Sequence, residues 1–118
     1  AGYKVGVVRD AELLKQAIDE LQEIKKEAAV TKVHNSQKVC NKEWVEALQV
    51  ENMALALEMV ARSALVRQES RGTHYRRDFP KSDNKNWLKN TFLVKDAKGD
   101  MVVTTAPSVM TKVRPEED

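Results

Sequence analysis

Residues 69–80, ESRGTHYRRDFP, hold the densest set of chemically capable side chains in this chain. From Glu69 to Lys81 there are four basic residues (Arg71, Arg76, Arg77, Lys81) and two acidic ones (Glu69, Asp78), with His74, Tyr75 and Phe79 among them. His74 is a candidate general base, but that role needs a partner to orient the ring and a pocket to hold a substrate, and the local sequence shows neither. A surface or interface histidine is the plainer reading. Arginines beside aromatics can bind single-stranded RNA by stacking. The same side chains suit a protein interface, where Arg and Tyr are enriched and forked guanidinium groups pair with carboxylates. A solvated loop also fits, bracketed by Gly72 and Pro80.

The whole chain weighs on that choice. Twenty Lys and Arg against eighteen Asp and Glu leave a formal charge of +2 over 118 residues, whereas nucleic-acid binders usually carry a strongly basic domain or face. Composition therefore favours the interface over RNA. Other chemistry finds little support. The two histidines and one cysteine (His34, His74, Cys40) do not stand at metal-ligand spacing, so no metal is expected. Cys40 reads as a small apolar filler, and as a lone cysteine it makes no internal disulfide. The four glycines, at positions 2, 6, 72 and 99, are too scattered to make a phosphate-binding loop. No apolar run approaches the roughly 20 residues of a membrane span, and AGYKVGVVRD has no signal-peptide h-region.

The elements that must position these residues follow from periodicity. Asp10 is a helix N-cap. After it Leu14, Ala17, Ile18, Leu21, Ile24 and Ala28 recur at three- and four-residue steps, predicting a helix over about 11–29 with one buried stripe. Asn41 caps a second helix, over about 42–68. Here Trp44, Leu48, Leu55, Met59 and Val66 form one apolar stripe, and Val50, Met53, Leu57, Val60 and Ala64 another nearly opposite. Glu51, Glu58, Arg62 and Glu69 make a narrow polar seam between them. Such a helix is expected to be covered on both apolar sides, and the first helix can cover only one. Asp83 or Ser82 caps a short helix, about 84–90, carrying Trp87 and Leu88. Two β-rich runs about Ala97-Lys98-Gly99 predict a hairpin over about 91–105, with the tail after Pro107 as an arm.

Residues 41–94 closely resemble the carboxy-terminal domain of the flavoprotein subunit of succinate dehydrogenase and fumarate reductase. The likeness rests on Glu69-Ser70-Arg71-Gly72-x-His74, on Asp78-Phe79-Pro80, and on Asn86-Trp87-Leu88-Lys89-x-Thr91, and KVGVVRD near the start fits the same family. L-aspartate oxidase resembles the first motif too and is the alternative within the class; from another class, the rival is a stand-alone helical protein- or RNA-binding module. Thr73 stands where the family commonly has a smaller Ala, and Cys40 where an aromatic often precedes the Asn.

The resemblance implies a mainly α fold: an antiparallel helical bundle, spectrin-repeat-like and lacking its first helix, with a C-terminal β-hairpin, residues 1–118 forming one domain. It implies a parent enzyme moving a hydride between FAD and the succinate/fumarate pair and passing electrons to an iron–sulfur subunit. FAD and the catalytic residues would lie upstream, so no catalytic, cofactor-binding or metal residue is expected within this chain, which would be inactive alone. The partners expected are the FAD-binding and capping domains of the same subunit and the iron–sulfur subunit, with no nucleic acid and no membrane insertion. The location implied is cytoplasmic, peripheral to the membrane through partner subunits. On this reading Glu69, Ser70, Arg71, Gly72, His74, Arg76, Arg77 and Trp87 form a docking surface. Both Arg71 and Arg76 should then be dispensable for the stability of the chain itself. The apolar flank of the second helix, left bare by a missing preceding helix, is expected to pair with a second copy.

Overall fold

A computed structural model describes residues 4–30 and 42–115. In order, the elements are β1 (Val8–Arg9), α1 (Ala11–Val30), α2 (Lys42–Val66), β2 (Tyr75–Arg76), α3 (Asn84–Trp87), β3 (Lys89–Lys95) and β4 (Met101–Pro107). Asn41, Cys40 and His34 lie outside the described residues, and so does the cap expected at Asn41.

Asp10 opens α1 as its residue type suggests. Its Oδ1 accepts from the Leu13 N–H at 2.9 Å, satisfying one of the donors that a helix start leaves free. Leu14, Ala17, Ile18 and Leu21 are buried, but burial stops there and Ile24 is exposed. The partner is α2. Leu14, Ala17 and Ile18 pack with Ala61 and Ala64, while Lys25 further along α1 reaches back to Glu58. One chain position rises as the other falls, so the two helices run antiparallel.

The face that α2 turns to α1 differs from the expected one. Its buried residues are Ala54, Glu58, Ala61 and Ala64, a line at four- and three-residue steps that runs beside the polar seam. Alanines without bulk let the backbones approach closely. Glu58, only 3% exposed, is carried inward with them because two cations follow it: Lys25 Nζ donates at 2.7 Å and Arg62 Nε at 2.8 Å. Burial alone would raise the Glu58 carboxyl, but these two bonds outweigh it and hold the group below the usual carboxylate range. The large apolar residues of both expected stripes flank this contact instead of making it. Trp44, Leu48, Leu55 and Val66 on one side, and Val50, Met53 and Val60 on the other, remain substantially exposed.

The chain is thus mainly helical with a C-terminal hairpin, as expected. The two long described helices, α1 and α2, form an antiparallel pair. α2 stops at Val66, two residues before the expected end, because a side chain from the following loop takes over its last carbonyls. α3 ends at Trp87, capped by Asp83 Oδ1, which accepts from Asn86 N–H at 2.9 Å. It is shorter than expected because Lys89 already enters β3. β3 and β4 pair antiparallel from Lys89↔Pro107 to Lys95↔Met101, so the hairpin is longer than the expected 91–105. At its tip Asp96 accepts from the Gly99 N–H at 3.0 Å, and Gly99 takes the left-handed conformation with φ 86°. Thr91, Leu93, Met101 and Val103 are half-buried, whereas Phe92, Val94 and Val102 face outward and exposed.

Candidate functional site

The segment after α2 folds into a clamp that grips both long helices at one end. Its centre is Arg76, only 1% exposed. Its Nη1 donates to the carbonyls of Ala64 (2.9 Å), Leu65 (2.9 Å) and Arg67 (3.2 Å), oxygens that have no helical partner at the C-terminus of α2. Its Nε and Nη2 form a fork onto Asp78 at 2.8 and 2.5 Å, and the guanidinium lies 5.1 Å from the centre of the Phe79 ring. Asp78 in turn accepts from the Ala11 N–H at 3.2 Å, the first residue of α1. A cation therefore sits at the negative end of α2 and an anion at the positive end of α1, each where the helix dipole favours it. The Asp78 carboxyl is held below the usual range, chiefly by its bond to Arg76.

Glu69 is the second anchor and has no exposure at all. Arg71 donates to both of its oxygens, from Nε and Nη2, at 3.0 Å each. Asp83 N–H adds 2.8 Å and Arg67 lies at 3.2 Å. Burial would raise this carboxyl, but the bonds from Arg71 and Asp83 and the charges of Arg71 and Arg67 hold it low. Ser70 closes the loop: its hydroxyl accepts from the Arg76 N–H at 2.8 Å and donates to the Phe79 carbonyl at 2.7 Å. Between these anchors Arg71 and His74 exchange backbone hydrogen bonds of 2.8 and 3.0 Å. Gly72 makes the turn with φ 58°, a conformation costly to any residue with a Cβ.

The remaining residues of the expected set are placed as follows. Arg77 is exposed and pairs with Asp10, and its N–H donates to the Arg9 carbonyl at 2.7 Å, part of the parallel pairing of β1 with β2. Trp87 is half-buried between two cations, Arg67 at 5.6 Å and Lys89 at 4.6 Å from its ring centre. Arg67 also donates to the carbonyls of Trp87 and Lys89 at 3.0–3.1 Å. His74 Nδ1 lies 2.8 Å from Arg9 Nη1. A guanidinium only donates, so Nδ1 accepts and the ring is neutral with its proton on Nε2. Burial, and then the charges of Arg9, Arg76 and Arg67, push the His74 pKa down, against the pull of the nearby Arg67 carbonyl. Its Nε2 is enclosed and without a hydrogen-bond partner, a geometry that offers no base to a substrate.

Of the residues expected at a docking surface, Glu69, Ser70 and Arg76 are the ones that the fold itself engages most fully. They are spent on bonds within the chain, because two helix ends must find partners when water is excluded. Arg71, bound to Glu69 and to Asn84 Oδ1 at 2.6 Å, is only half-buried. The clamp also uses Arg9 and Arg67, which the sequence reading did not single out, and Asp78 and Asp83, which it read as part of a motif and as a helix cap. Arg67 and Asp78 lie within or beside the motif segment. Arg9 lies 65 positions from His74, and nothing local marks that pairing.

Beside the clamp an open groove of about 530 Å³ runs between α2 and β3. It is floored by Ala56, Met59 and Val60, walled by Leu93, and closed at the clamp end by Arg9 and His74.

Residues 2–118 match the family described as fumarate reductase flavoprotein C-term. The chain belongs to this family. It is 34% identical over 91 residues to the succinate dehydrogenase flavoprotein subunit of Coxiella burnetii, covering 77% of this chain and 16% of that one. Against the fumarate reductase flavoprotein subunit of Helicobacter pylori the identity is 38% over 88 residues, 75% of this chain and 12% of the relative. Among solved structures, the E. coli quinol fumarate reductase FrdA superimposes with a TM-score of 0.87 at 27% identity, covering 95% of this chain and 20% of FrdA. Mycobacterium smegmatis Sdh1 does so with a TM-score of 0.73 at 37% identity, over 92% of this chain and 18% of Sdh1. This flavoprotein domain thus spans about a fifth or less of the relatives that it matches.

The described residues of the domain do not fit a dinucleotide. Gly72 and Gly99 each make a single left-handed turn, and neither begins a helix whose N–H groups could cradle a pyrophosphate. Among the described residues no three His, Cys, Asp or Glu side chains converge as a metal site would require, and no helix is long and apolar enough to cross a membrane.

Proposed function

We propose that this domain completes the flavoprotein subunit of a succinate dehydrogenase or fumarate reductase by packing on an upstream FAD-binding and capping region. The parent subunit would exchange a hydride between FAD and the succinate/fumarate pair and pass electrons to an iron–sulfur subunit, working at a membrane surface through partner subunits. The observation that carries this reading is the match of residues 2–118 to the family, supported by the likeness to FrdA over 95% of the chain. The domain's own contribution is mechanical. Its clamp ties two helices and a hairpin into one body without placing a free acid, base or nucleophile in a cavity, which suits a buttress and not a reaction centre.

The test is expression of the complete subunit from its gene, with flavin content read by absorbance and succinate oxidation and fumarate reduction followed with artificial electron carriers. Bound FAD and turnover of either dicarboxylate support the reading. A complete protein that is flavin-free, or that turns over neither substrate, would sink it. Separate calorimetry of residues 1–118 with FAD, succinate and fumarate should show no binding at micromolar concentrations.

A further inference from the structure

β1 joins the clamp through few bonds. Val8 and Arg9 pair with Tyr75 and Arg76, the Arg77 N–H donates to the Arg9 carbonyl at 2.7 Å, and the Arg9 side chain donates to the His74 ring. That last bond exists in one protonation state only. Arg9 Nη1, at 2.8 Å, needs the lone pair of His74 Nδ1, and a protonated ring would turn a donor toward a donor. The surroundings offer an imidazolium no relief. The charged groups that face the ring are Arg9 from β1, Arg67 just beyond α2 and Arg76 from β2, all of them cations. The groove wall beside it, Ser63 of α2 with Thr91 and Leu93 of β3, carries no charge. The clamp's carboxylates are engaged elsewhere: Glu69 with Arg71 and Arg67, Asp78 with Arg76, and Asp10 with Arg77. The Arg67 carbonyl near the ring already accepts from Arg76 Nη1 at 3.2 Å.

We propose that His74 is an acid-sensitive release for β1: one proton on its ring drives Arg9 off Nδ1 and parts β1 from β2, while α1 and α2 stay packed. The division follows from where the bonds lie. Arg76 holds Asp78 and the carbonyls of Ala64 and Leu65 without help from His74, and Glu58 joins the two helices far from it through Lys25 and Arg62. Against release stands Val5, buried with Leu14 and Ala61, which keeps the neutral-pH equilibrium on the closed side. Once β1 has left, the ring meets water and titrates near its ordinary 6.5; in place, burial and three cations hold it lower. The open form therefore binds the proton more tightly, and opening grows as pH falls through about 6.5. One pH unit below that value, a single histidine multiplies the opening equilibrium by at most about tenfold. The release belongs to this domain alone and holds whether or not the parent subunit carries FAD.

Hydrogen exchange of the complete subunit tests this, read by mass spectrometry at single amides and normalised to the intrinsic rate at each pH. Arg77, whose N–H binds the Arg9 carbonyl, should lose protection about three- to tenfold between pH 7.5 and 5.5. Its protection should stay below that of Leu21 in α1 and Ala61 in α2 at every pH. Non-denaturing urea should erode protection at Leu21 and Ala61 but not at Arg77, because parting two short strands exposes little surface. Exchange at the ring carbon of His74, in the same samples, should give a titration midpoint below 6.5. In His74→Asn, whose amide oxygen accepts from Arg9 and does not titrate, Arg77 protection should be flat across this range. Arg9→Met removes a facing cation and should raise the His74 midpoint. Arg77 protection equal to that of Leu21, with the same urea dependence, would mean that β1 leaves only when the whole domain unfolds, and would overturn the inference. So would an acid-induced loss that persists in His74→Asn, or a His74 midpoint at or above 6.5. Should His74→Asn fail to fold, the urea comparison and the ring titration in the unaltered subunit decide.

Discussion

Replacing Arg76 with Ala removes a single side chain but strips partners from two helix ends at once. The carbonyls of Ala64 and Leu65 lose their donor, and each buried polar group left unsatisfied costs about 1–3 kcal/mol. Asp78 loses both prongs of its fork and keeps the Ala11 N–H. Its side chain is about a third exposed, so water recovers part of that loss. The expected destabilisation is about 3–5 kcal/mol, the range for removing one partner of a buried ion pair. Set against the roughly 5–15 kcal/mol that holds a domain together, that is a severe change. Urea unfolding followed by far-UV circular dichroism measures it. Arg77→Ala is the internal comparison: its pair with Asp10 is exposed and screened by water, so its loss should barely move the midpoint. Asp78→Ala combined with Arg76→Ala should cost less than the sum of the two, by about 1–3 kcal/mol of coupling. An Arg76→Ala protein within about 1 kcal/mol of Arg77→Ala would refute the clamp.

Glu69→Gln keeps the shape but loses the charge shared by Arg71 and Arg67, and should cost about 2–3 kcal/mol by the same unfolding assay. Gly72→Ala should cost about 1–2 kcal/mol through backbone conformation alone, because a Cβ there meets nothing within 4 Å; an unchanged midpoint would show that the turn can relax. Stability should fall on acidification in two stages. His74 has a folded pKa below its ordinary 6.5, so the unfolded chain takes up the proton first and stability drops as pH falls through about 6.5. The carboxyls of Glu58, Glu69 and Asp78 are also held low in the folded state. Their contribution is complete above the ordinary carboxyl values and is lost as pH falls from about 4.5 through the folded ones. In His74→Gln the first stage should vanish and the second remain, as read from unfolding midpoints across pH 3–8.

The helices were legible from the sequence because Asp10 and the Leu14–Leu21 spacing report local physics, the N–H groups of one turn and the period of one face. The hairpin was legible for the same reason, through Gly99. The contact face of α2 was not. Alanine carries little hydropathic signal, so Ala54 and Ala61 are silent between two louder stripes, and Glu58 reads as solvent-facing until Lys25, 33 positions away, supplies its partner. The motif Glu69–His74 was visible as chemistry, but its use was not. Whether Arg76 greets another protein or the end of its own helix depends on where Ala64, Leu65 and Asp78 stand in space. Spacing along the chain carries no record of that.

The parallel pairing of β1 with β2 also has a kinetic consequence. Val8 and Arg9 meet Tyr75 and Arg76, and the neighbouring pair Asp10 and Arg77 is separated by 67 positions. Closing a loop of that length from an unfolded chain costs about 4 kcal/mol of entropy. The α1–α2 contact closes a shorter loop, so the two helices should associate before β1 finds its place beside β2. Clamp residues would then be unformed in the transition state. Substitutions at Arg76, Asp78 or Glu69 should therefore accelerate unfolding while leaving the refolding rate nearly untouched. The clamp works as a latch fastened last, setting how long the domain stays folded more than how quickly it folds.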